Sequence, residues 1–209
     1  MKIEAFLELV RSRRHNGRVK TDPVPDDAVR KILEAASWAP SGNNSQPWEF
    51  VVVKSQEAKA KIQDLMEGAG SPRHGVPQAP TELPPVVIVV CGDFRFMDSY
   101  PESVNREEVF YSSLAAAIQN VHLAATALGL ATSWGTVRKT AMSRLHDIVN
   151  LPGTLEIVAL IRLGYPQEVA PPKARRPLDD AIHFEKYDRT RQRDVKQFIE
   201  AYGKGWGRL

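Results

Sequence analysis

An unbroken apolar run at residues 86–91, directly after Pro85, sets the strongest limit on the fold of this chain. Four of its six residues are valine and one is isoleucine, and β-branched side chains favour strands. Because the run does not alternate with polar residues, it predicts an interior strand that is buried on both faces of a sheet. Trp48–Val53 and residues 154–163 predict two further strands, and residues 131–137 predict an extended segment.

Apolar residues at helical spacing predict helices between these strands. Ile3, Phe6, Leu7 and Val10 recur at intervals of three and four residues, which predicts a first helix ending near Arg13. The longest predicted helix spans residues 107–128, where small residues permit close packing in the centre of a fold or a dimer; they include Ala115, Ala116, Ala117, Ala124 and Ala125. Further helices are predicted to begin near residues 23–27 and end at Pro40, and to span residues 55–68, 140–149 and 191–202.

The order of these elements predicts an α+β layer fold. Strands and helices mix without a strict βαβ rhythm, and no Gly-x-Gly-x-x-Gly follows a strand, which argues against a Rossmann dinucleotide domain. Two segments rich in Pro, Gly or aromatic residues, 70–85 and 94–105, are predicted to be irregular. Either of them is a candidate cover for a binding pocket.

Length and composition fit a single domain over residues 1–209. The chain has a mass of 23.3 kDa, 43% hydrophobic residues, no low-complexity tract and no fixed-period repeat. We expect no secretory signal and no membrane span, because no stretch is long and apolar enough. Its single cysteine, Cys91, cannot form an intrachain disulfide framework, and a cytoplasmic location is the expectation.

The positive charge of the chain falls mainly in two short clusters. The net charge is +3 and the isoelectric point is near 9.0. Clustered arginine and lysine side chains suit a nucleic acid, a single phosphate on which both clusters converge, or plain solvated surface. The small excess favours the shared phosphate over a long nucleic-acid stripe. The clusters are Arg11, Arg13, Arg14 and Arg18 near the start and Lys173, Arg175 and Arg176 near the end.

Two motifs some thirty residues apart carry the chemistry of a ligand site. The pair Arg13 and Arg14 suits a phosphate dianion, because a guanidinium group donates planar, bidentate, charge-assisted hydrogen bonds. Residues 40–48, Pro-Ser-Gly-Asn-Asn-Ser-Gln-Pro-Trp, supply neutral donors and acceptors that suit the carbonyl and imide edges of a flat polar ring. Together the two motifs predict the two ends of one flavin site.

At this point the sequence resembles the flavin-dependent nitroreductases over nearly its whole length. The resemblance rests on five motifs in the family's order and spacing. They are Arg13-Arg14, residues 40–48, residues 124–135 with their Leu-Gly-Leu-x-x-x-Trp-Gly run, residues 163–166, and the basic cluster at residues 173–176.

The resemblance implies a three-layer sandwich with a central mixed sheet flanked by helices, in an intertwined homodimer with FMN bound at the interface between subunits. It also implies hydride transfer from NAD(P)H to the flavin and then electron transfer to a second small molecule, with no catalytic side chain and no metal. The residues implied at the phosphate and ribityl end are Arg13, Arg14, Lys173 and Arg175. Those implied around the flavin ring and ribityl chain are Ser41, Gly42, Asn44, Gln46, Ser133, Trp134 and Gly135, where backbone N–H groups can stabilise the reduced flavin.

The motif departs from the family pattern directly after the arginine pair. The family commonly continues with Ser and, two positions further on, a basic residue, where this chain has His15 and Gly17. Either Arg18 replaces the missing phosphate ligand, or His15 binds the phosphate itself. His122 is interpreted as a core or interface residue, and Trp134 as either packing or touching the flavin.

The expected activity is an FMN-dependent NAD(P)H oxidoreductase that reduces an electron-poor nitroaromatic, quinone or enone. The same architecture also supports reductive dehalogenation and dehydrogenation, so these stay open as alternatives. Dehalogenases of this type use a lid that recognises a zwitterionic amino acid, and the sequence shows no clear match to it. A non-enzymatic binder of phosphorylated ligands or nucleic acid is the alternative from another class, although we expect no nucleic-acid or membrane partner.

Overall fold

A computed structural model describes residues 2–67 and 82–202 of the chain. The chain divides into two compact units. The first comprises Met1–Gly70 and Pro80–Ala170, and the second comprises Ser71–Ala79 and Pro171–Leu209. All four strands and five of the six helices named below lie in the first unit. The assignment of residues 1–209 to a single domain stays a prediction.

The first unit is built on a four-stranded sheet. Its central strand β2 is buried along its whole length, which confirms the interior strand predicted from the apolar run. The extended segment predicted at residues 131–137 forms an edge strand, β3. The strands are β1 (Trp48–Val53), β2 (Val86–Asp93), β3 (Ala131–Gly135) and β4 (Leu155–Gly164), in the order β1-β2-β4-β3.

The direction of the strands differs from the expected mixed sheet. All three strand pairs are antiparallel, and the parallel pairing found in the described residues is an isolated bridge between His15 and Thr132 beside β3. The sequence of a strand determines which of its faces are buried, but its direction depends on where the connecting segment returns the chain. Here the chain passes from β1 through α3 to β2, and β2 nevertheless pairs with β1 in the antiparallel direction.

Helices cover both faces of the sheet and form three layers with it. On one face Val86, Ile88 and Val90 of β2 pack with α2 and α4, and on the other Val87, Val89 and Cys91 pack with α3 and α5. This arrangement confirms the predicted α+β layers. None of the helices in the described ranges is long and apolar enough to cross a membrane. The helices are α1 (Ile3–Ser12), α2 (Asp26–Ser37), α3 (Gln56–Glu67), α4 (Arg106–Ala127), α5 (Met142–Val149) and α6 (Val195–Tyr202).

The irregular segments fall mostly where the sequence placed them. Residues 94–105 begin with a 3₁₀ helix, Phe94–Ser99, before α4 starts at Arg106. The other predicted cover, residues 70–85, lies largely outside the described residues. The second unit contains the 3₁₀ helices Leu178–Ala181 and Arg189–Arg191 and the helix α6.

Candidate functional site

The loop at residues 41–47 has an unusual backbone. Asn43, Asn44 and Gln46 all have positive φ angles, of 51°, 53° and 47°. Asparagine tolerates this left-handed conformation better than other residues with a side chain, whereas glutamine rarely adopts it. Such residues cost about 1–3 kcal/mol each and persist where the surrounding structure holds them, often at functional sites.

Contacts with α4 hold the start of this 41–47 loop in place. The N–H of Gly42 donates to Ser113 Oγ at 3.2 Å, and that hydroxyl donates in turn to the carbonyl oxygen of Val109. A Cβ atom added at Gly42 would lie 2.2 Å from Val109 Cγ1, so only glycine allows the loop to approach the helix this closely. Close packing of the backbone against α4 is therefore a reason for glycine at position 42 that does not depend on any ligand.

The loop brings four of the residues predicted to surround the flavin into one turn. Gln46 donates its backbone N–H to Ser41 Oγ at 3.0 Å and its side-chain amide to the carbonyl oxygen of Asn44 at 3.2 Å. Asn44 and Gln46 are exposed, and Ser41 and Gly42 are half-buried. The turn thus presents neutral amide groups at the protein surface.

Three hydrogen bonds that the sequence did not predict tie the loop to the 3₁₀ helix Phe94–Ser99. Asp93 N–H donates to the carbonyl oxygen of Pro47 at 2.8 Å, at the start of that helix. At its end, Asn43 Nδ2 donates to the carbonyl oxygen of Ser99 at 3.2 Å. The hydroxyls of Ser45 and the buried Tyr100 are 2.8 Å apart. No motif marks Asp93, Ser99 and Tyr100 as partners of the loop, because they lie about fifty positions away from it in sequence.

The segment after the arginine pair lies along the outer edge of β3. His15 forms its isolated bridge with Thr132, and the N–H of Asn16 donates to the carbonyl oxygen of Thr132 at 2.8 Å. Asn16 also donates its side-chain amide to the carbonyl oxygen of Glu168 at 2.9 Å. These bonds fix the backbone that follows Arg13 against the sheet.

His15 and His122 both contact Trp134 of β3. The N–H of Trp134 donates to His15 Nδ1 at 3.3 Å, so in this arrangement the imidazole proton of a neutral His15 is on Nε2. The His122 ring stacks on the indole with 5.8 Å between centroids, and its Nδ1 lies 2.6 Å from Thr132 Oγ1. His122 is buried, which confirms its interpretation as a core residue, and the stack gives Trp134 a packing role.

The pKa of His122 is low mainly because the imidazole is buried. Burial, together with the electrostatic effect of Arg13 and His15, lowers this pKa to about 4. The bond between His15 and Trp134 brings together, at one edge of β3, two residues that the sequence predicted at the cofactor, and Arg13 precedes His15 by two positions.

Arg14 is engaged with backbone rather than directed at a neighbouring anion. Its Nε donates to the carbonyl oxygen of Ala170 at 3.1 Å, and its Nη1 donates to the carbonyl oxygens of Arg11 and Arg13. These bonds hold the end of α1 against residue 170. Arg18, the alternative phosphate ligand, forms an exposed ion pair with Glu168 at 3.4 Å.

The remaining predicted residues are placed as follows. Ser133 is buried in β3 and lies opposite Arg162. Gly135 lies opposite Leu160, and a Cβ atom added at Gly135 would come within 3.2 Å of the carbonyl oxygen of Leu160. Lys173 and Arg175 belong to the second unit, where both are exposed and Arg175 Nη1 donates to the carbonyl oxygen of Lys173 at 3.3 Å. A phosphate shared between them and Arg13 stays a prediction.

The 41–47 loop and the edge of β3 that carries Trp134 contact α4 at different positions along its axis. Ser113 holds the loop, and His122 lies nine residues further along the same helix. At 1.5 Å per residue, these two positions are separated by about 13 Å along the helix axis. One chain therefore holds the amides of the 41–47 loop and the edge of β3 that contacts His15 at different positions along α4.

Candidates for side-chain catalysis are scarce in the described part of the chain. No group of three or more His, Cys, Asp or Glu residues there is arranged to hold a metal ion. Cys91 is buried, and burial raises the pKa of its thiol to about 12, so it is not available as a thiolate nucleophile.

Comparison of the sequence with protein-family models and with known proteins points to one family. The model of the Nitroreductase family matches residues 10–165. A protein of Archaeoglobus fulgidus named as an NADH dehydrogenase/NAD(P)H nitroreductase is 31% identical over 169 residues, covering 79% of this chain and 88% of its own length. Iodotyrosine deiodinase 1 of Sus scrofa is 26% identical over 199 residues, covering 86% of this chain and 68% of that protein.

Solved structures agree with the sequence matches. A nitroreductase from Desulfovibrio desulfuricans, solved in complex with FMN, superposes with a TM-score of 0.69 and 30% identity, covering 87% of this chain and 97% of that one. By sequence and by fold, this chain belongs to the Nitroreductase family.

Proposed function

We propose that this protein is an FMN-dependent NAD(P)H oxidoreductase that reduces an electron-poor small molecule such as a nitroaromatic, a quinone or an enone. The observation that carries the proposal is the hydrogen bond between His15 and Trp134 at the edge of β3, directly after the arginine pair. Relatives named as NAD(P)H nitroreductases and a related structure holding FMN support it.

The donor chemistry of the chain fits a phosphorylated flavin. In the proposed site the Arg13 guanidinium and the His15 imidazole bind the phosphate end. The neutral donors and acceptors of Ser41, Asn44 and Gln46 suit the edge of the ring, which carries carbonyl and imide groups. When bound, FMN would accept a hydride from NAD(P)H and deliver two electrons to the second substrate, while the protein supplies orientation and electrostatics.

We further propose that two copies of the chain complete each site. All of α1 lies at the surface of a single chain, including its apolar residues Ile3, Phe6, Leu7 and Val10. A homodimer would give that apolar face a partner.

The principal test compares Arg13→Ala with Arg144→Ala, a charge-matched change at an exposed position on α5. Wild-type and Arg144→Ala proteins should purify yellow and bleach with NADPH under anaerobic conditions. Arg13→Ala should bind FMN at least tenfold more weakly, because a charge-assisted hydrogen bond contributes about 1.5–3 kcal/mol. FMN dissociation constants from fluorescence quenching provide the measurement. Equal FMN affinity in all three proteins would remove the phosphate role of Arg13.

The choice of second substrate separates the reductase from its rivals. The relationship to iodotyrosine deiodinase 1 makes reductive dehalogenation the main alternative on the same fold. NADPH oxidation with a nitrofuran but not with iodotyrosine supports the proposal, and the opposite preference supports dehalogenation. A colourless protein with strongly salt-dependent affinity for nucleic acid would point to a non-enzymatic binder.

A further inference from the structure

The 3₁₀ helix Phe94–Ser99, called here the 94–99 segment, borders the 41–47 loop at both of its ends. The bond from Asp93 N–H to Pro47 fixes its start. The bond from Asn43 to Ser99 and the contact between Ser45 and Tyr100 fix its end. A ligand ring placed against the amides of the loop therefore has the 94–99 segment as its neighbour.

This segment presents two phenyl rings to solvent. Phe94 is 42% exposed and Phe96 is 39% exposed, although they lie only two residues apart on a short segment. Aromatic rings bury a large area when they find a partner and stack favourably on other flat rings. Their exposure beside the loop leaves a surface suited to a flat apolar ligand.

The charge between the two rings is neutralised within the protein. Arg95 lies between them in sequence; its Nε donates to Asp93 Oδ1 at 2.9 Å and its Nη2 donates to Asp93 Oδ2. This bidentate hydrogen bond holds the pKa of the Asp93 carboxyl below its usual range, so the pair stays ionised and carries no net charge at neutral pH. The pair therefore adds no net charge to the surface that carries the two rings.

We propose that Phe94 and Phe96 form the wall on which an uncharged aromatic electron acceptor stacks, which makes them specificity-determining residues of the proposed oxidoreductase. The inference rests on the proposed function, because the ring-facing role of the 41–47 loop comes from it. Of the two irregular segments predicted from the sequence, 70–85 and 94–105, the second is thus the one proposed to contact the electron acceptor.

The test compares Phe94→Ala and Phe96→Ala with Leu128→Ala, an equally exposed apolar side chain just beyond the other end of α4. Two acceptors are used with the FMN-loaded protein, a neutral nitrofuran, which can stack, and ferricyanide, which cannot. A titration of the oxidised protein with the nitrofuran in the absence of NADPH measures binding without turnover. Sedimentation velocity measures the oligomeric state of every variant.

Each phenylalanine variant should raise the KM and the dissociation constant of the nitrofuran on the order of fivefold, the size expected for loss of one aromatic contact. The KM of ferricyanide and the rate of flavin reduction by NADPH should stay within about twofold of wild type. Leu128→Ala should match wild type throughout.

Three results would overturn the inference. They are unchanged nitrofuran binding in both phenylalanine variants, equal losses with both acceptors, and a changed oligomeric state, which would mean that a second copy of the chain covers the rings. Failure of the proposed function looks different, because wild-type protein would then oxidise no NADPH with either acceptor. In that case nitrofuran binding to the oxidised protein still decides whether the rings form an aromatic site.

Discussion

The buried imidazole of His122 makes the stability of this protein sensitive to acid. Its neighbours are Thr132 and Trp134 of β3, and Arg13 and His15 act on it electrostatically. Burial and these charges disfavour the protonated ring, so its pKa falls from 6.5 to about 4 on folding. Between these two pH values the unfolded chain binds a proton that the folded chain does not.

The free energy of unfolding should therefore fall as the pH drops from about 6.5 to about 4. Below pH 4 this group should cause little further loss. Over this pH range, protonation of His122 should lower the free energy of unfolding by about 3 kcal/mol. His122→Asn keeps an amide near Thr132 but does not titrate. Urea unfolding at neutral and acidic pH should show a smaller pH-dependent loss in the variant than in wild type. An identical loss would mean that the imidazole is not the group responsible.

Among the elements, the 41–47 loop and the 94–99 segment behave as one unit because hydrogen bonds join them. The contact between Ser45 Oγ and Tyr100 Oη is 2.8 Å long, and Tyr100 is only 2% exposed. Tyr100→Phe removes the phenol oxygen and leaves the ring packing in place. We expect it to cost about 1 kcal/mol of unfolding free energy, as is usual for a partly buried hydrogen bond.

A double-mutant cycle with Ser45→Ala isolates this contact. The double variant should lose about 0.5–1.5 kcal/mol less than the sum of the single variants, because both changes remove the same bond. Unfolding by urea measures all four proteins. Strict additivity would show that the loop and the segment are not coupled through these hydroxyls.

At the scale of the whole molecule, the exposed apolar face of α1 is the basis of the proposed homodimer. Its apolar stripe is exposed, with Ile3 at 61% and Phe6, Leu7 and Val10 near 40%. We expect the protein to sediment at twice the chain mass of 23.3 kDa. Leu7→Glu places a charge in the stripe and should weaken association at least tenfold, because burying an unpaired charge is costly.

Glu8→Gln, on the same helix, serves as the control and should sediment as wild type. Because the proposed site draws on two chains, Leu7→Glu should also weaken FMN binding. A wild-type protein that sediments as a monomer while holding FMN would contradict the proposed two-chain site.

The sequence by itself determined the elements and several local roles. The valine-rich run predicted β2 because burial on both faces leaves a continuous apolar pattern, and Pro40 marked the end of α2 because proline cannot continue a helix. The interpretation of His122 as a core or interface residue agrees with its burial. The family was recognisable because Arg13-Arg14 and residues 40–48 are short, continuous motifs.

Only the tertiary structure decided the strand directions and the contacts that organise the site. The antiparallel pairing of β1 with β2, the stack of His122 on Trp134, and the bonds from Asn43 and Ser45 to the 94–99 segment join residues that are ten to fifty positions apart. Periodicity reports which face of an element is buried, but it carries no information about which distant residue will lie opposite. The engagement of Arg14 with backbone carbonyls depends on such partners too, because the chain must fold before Ala170 reaches its guanidinium.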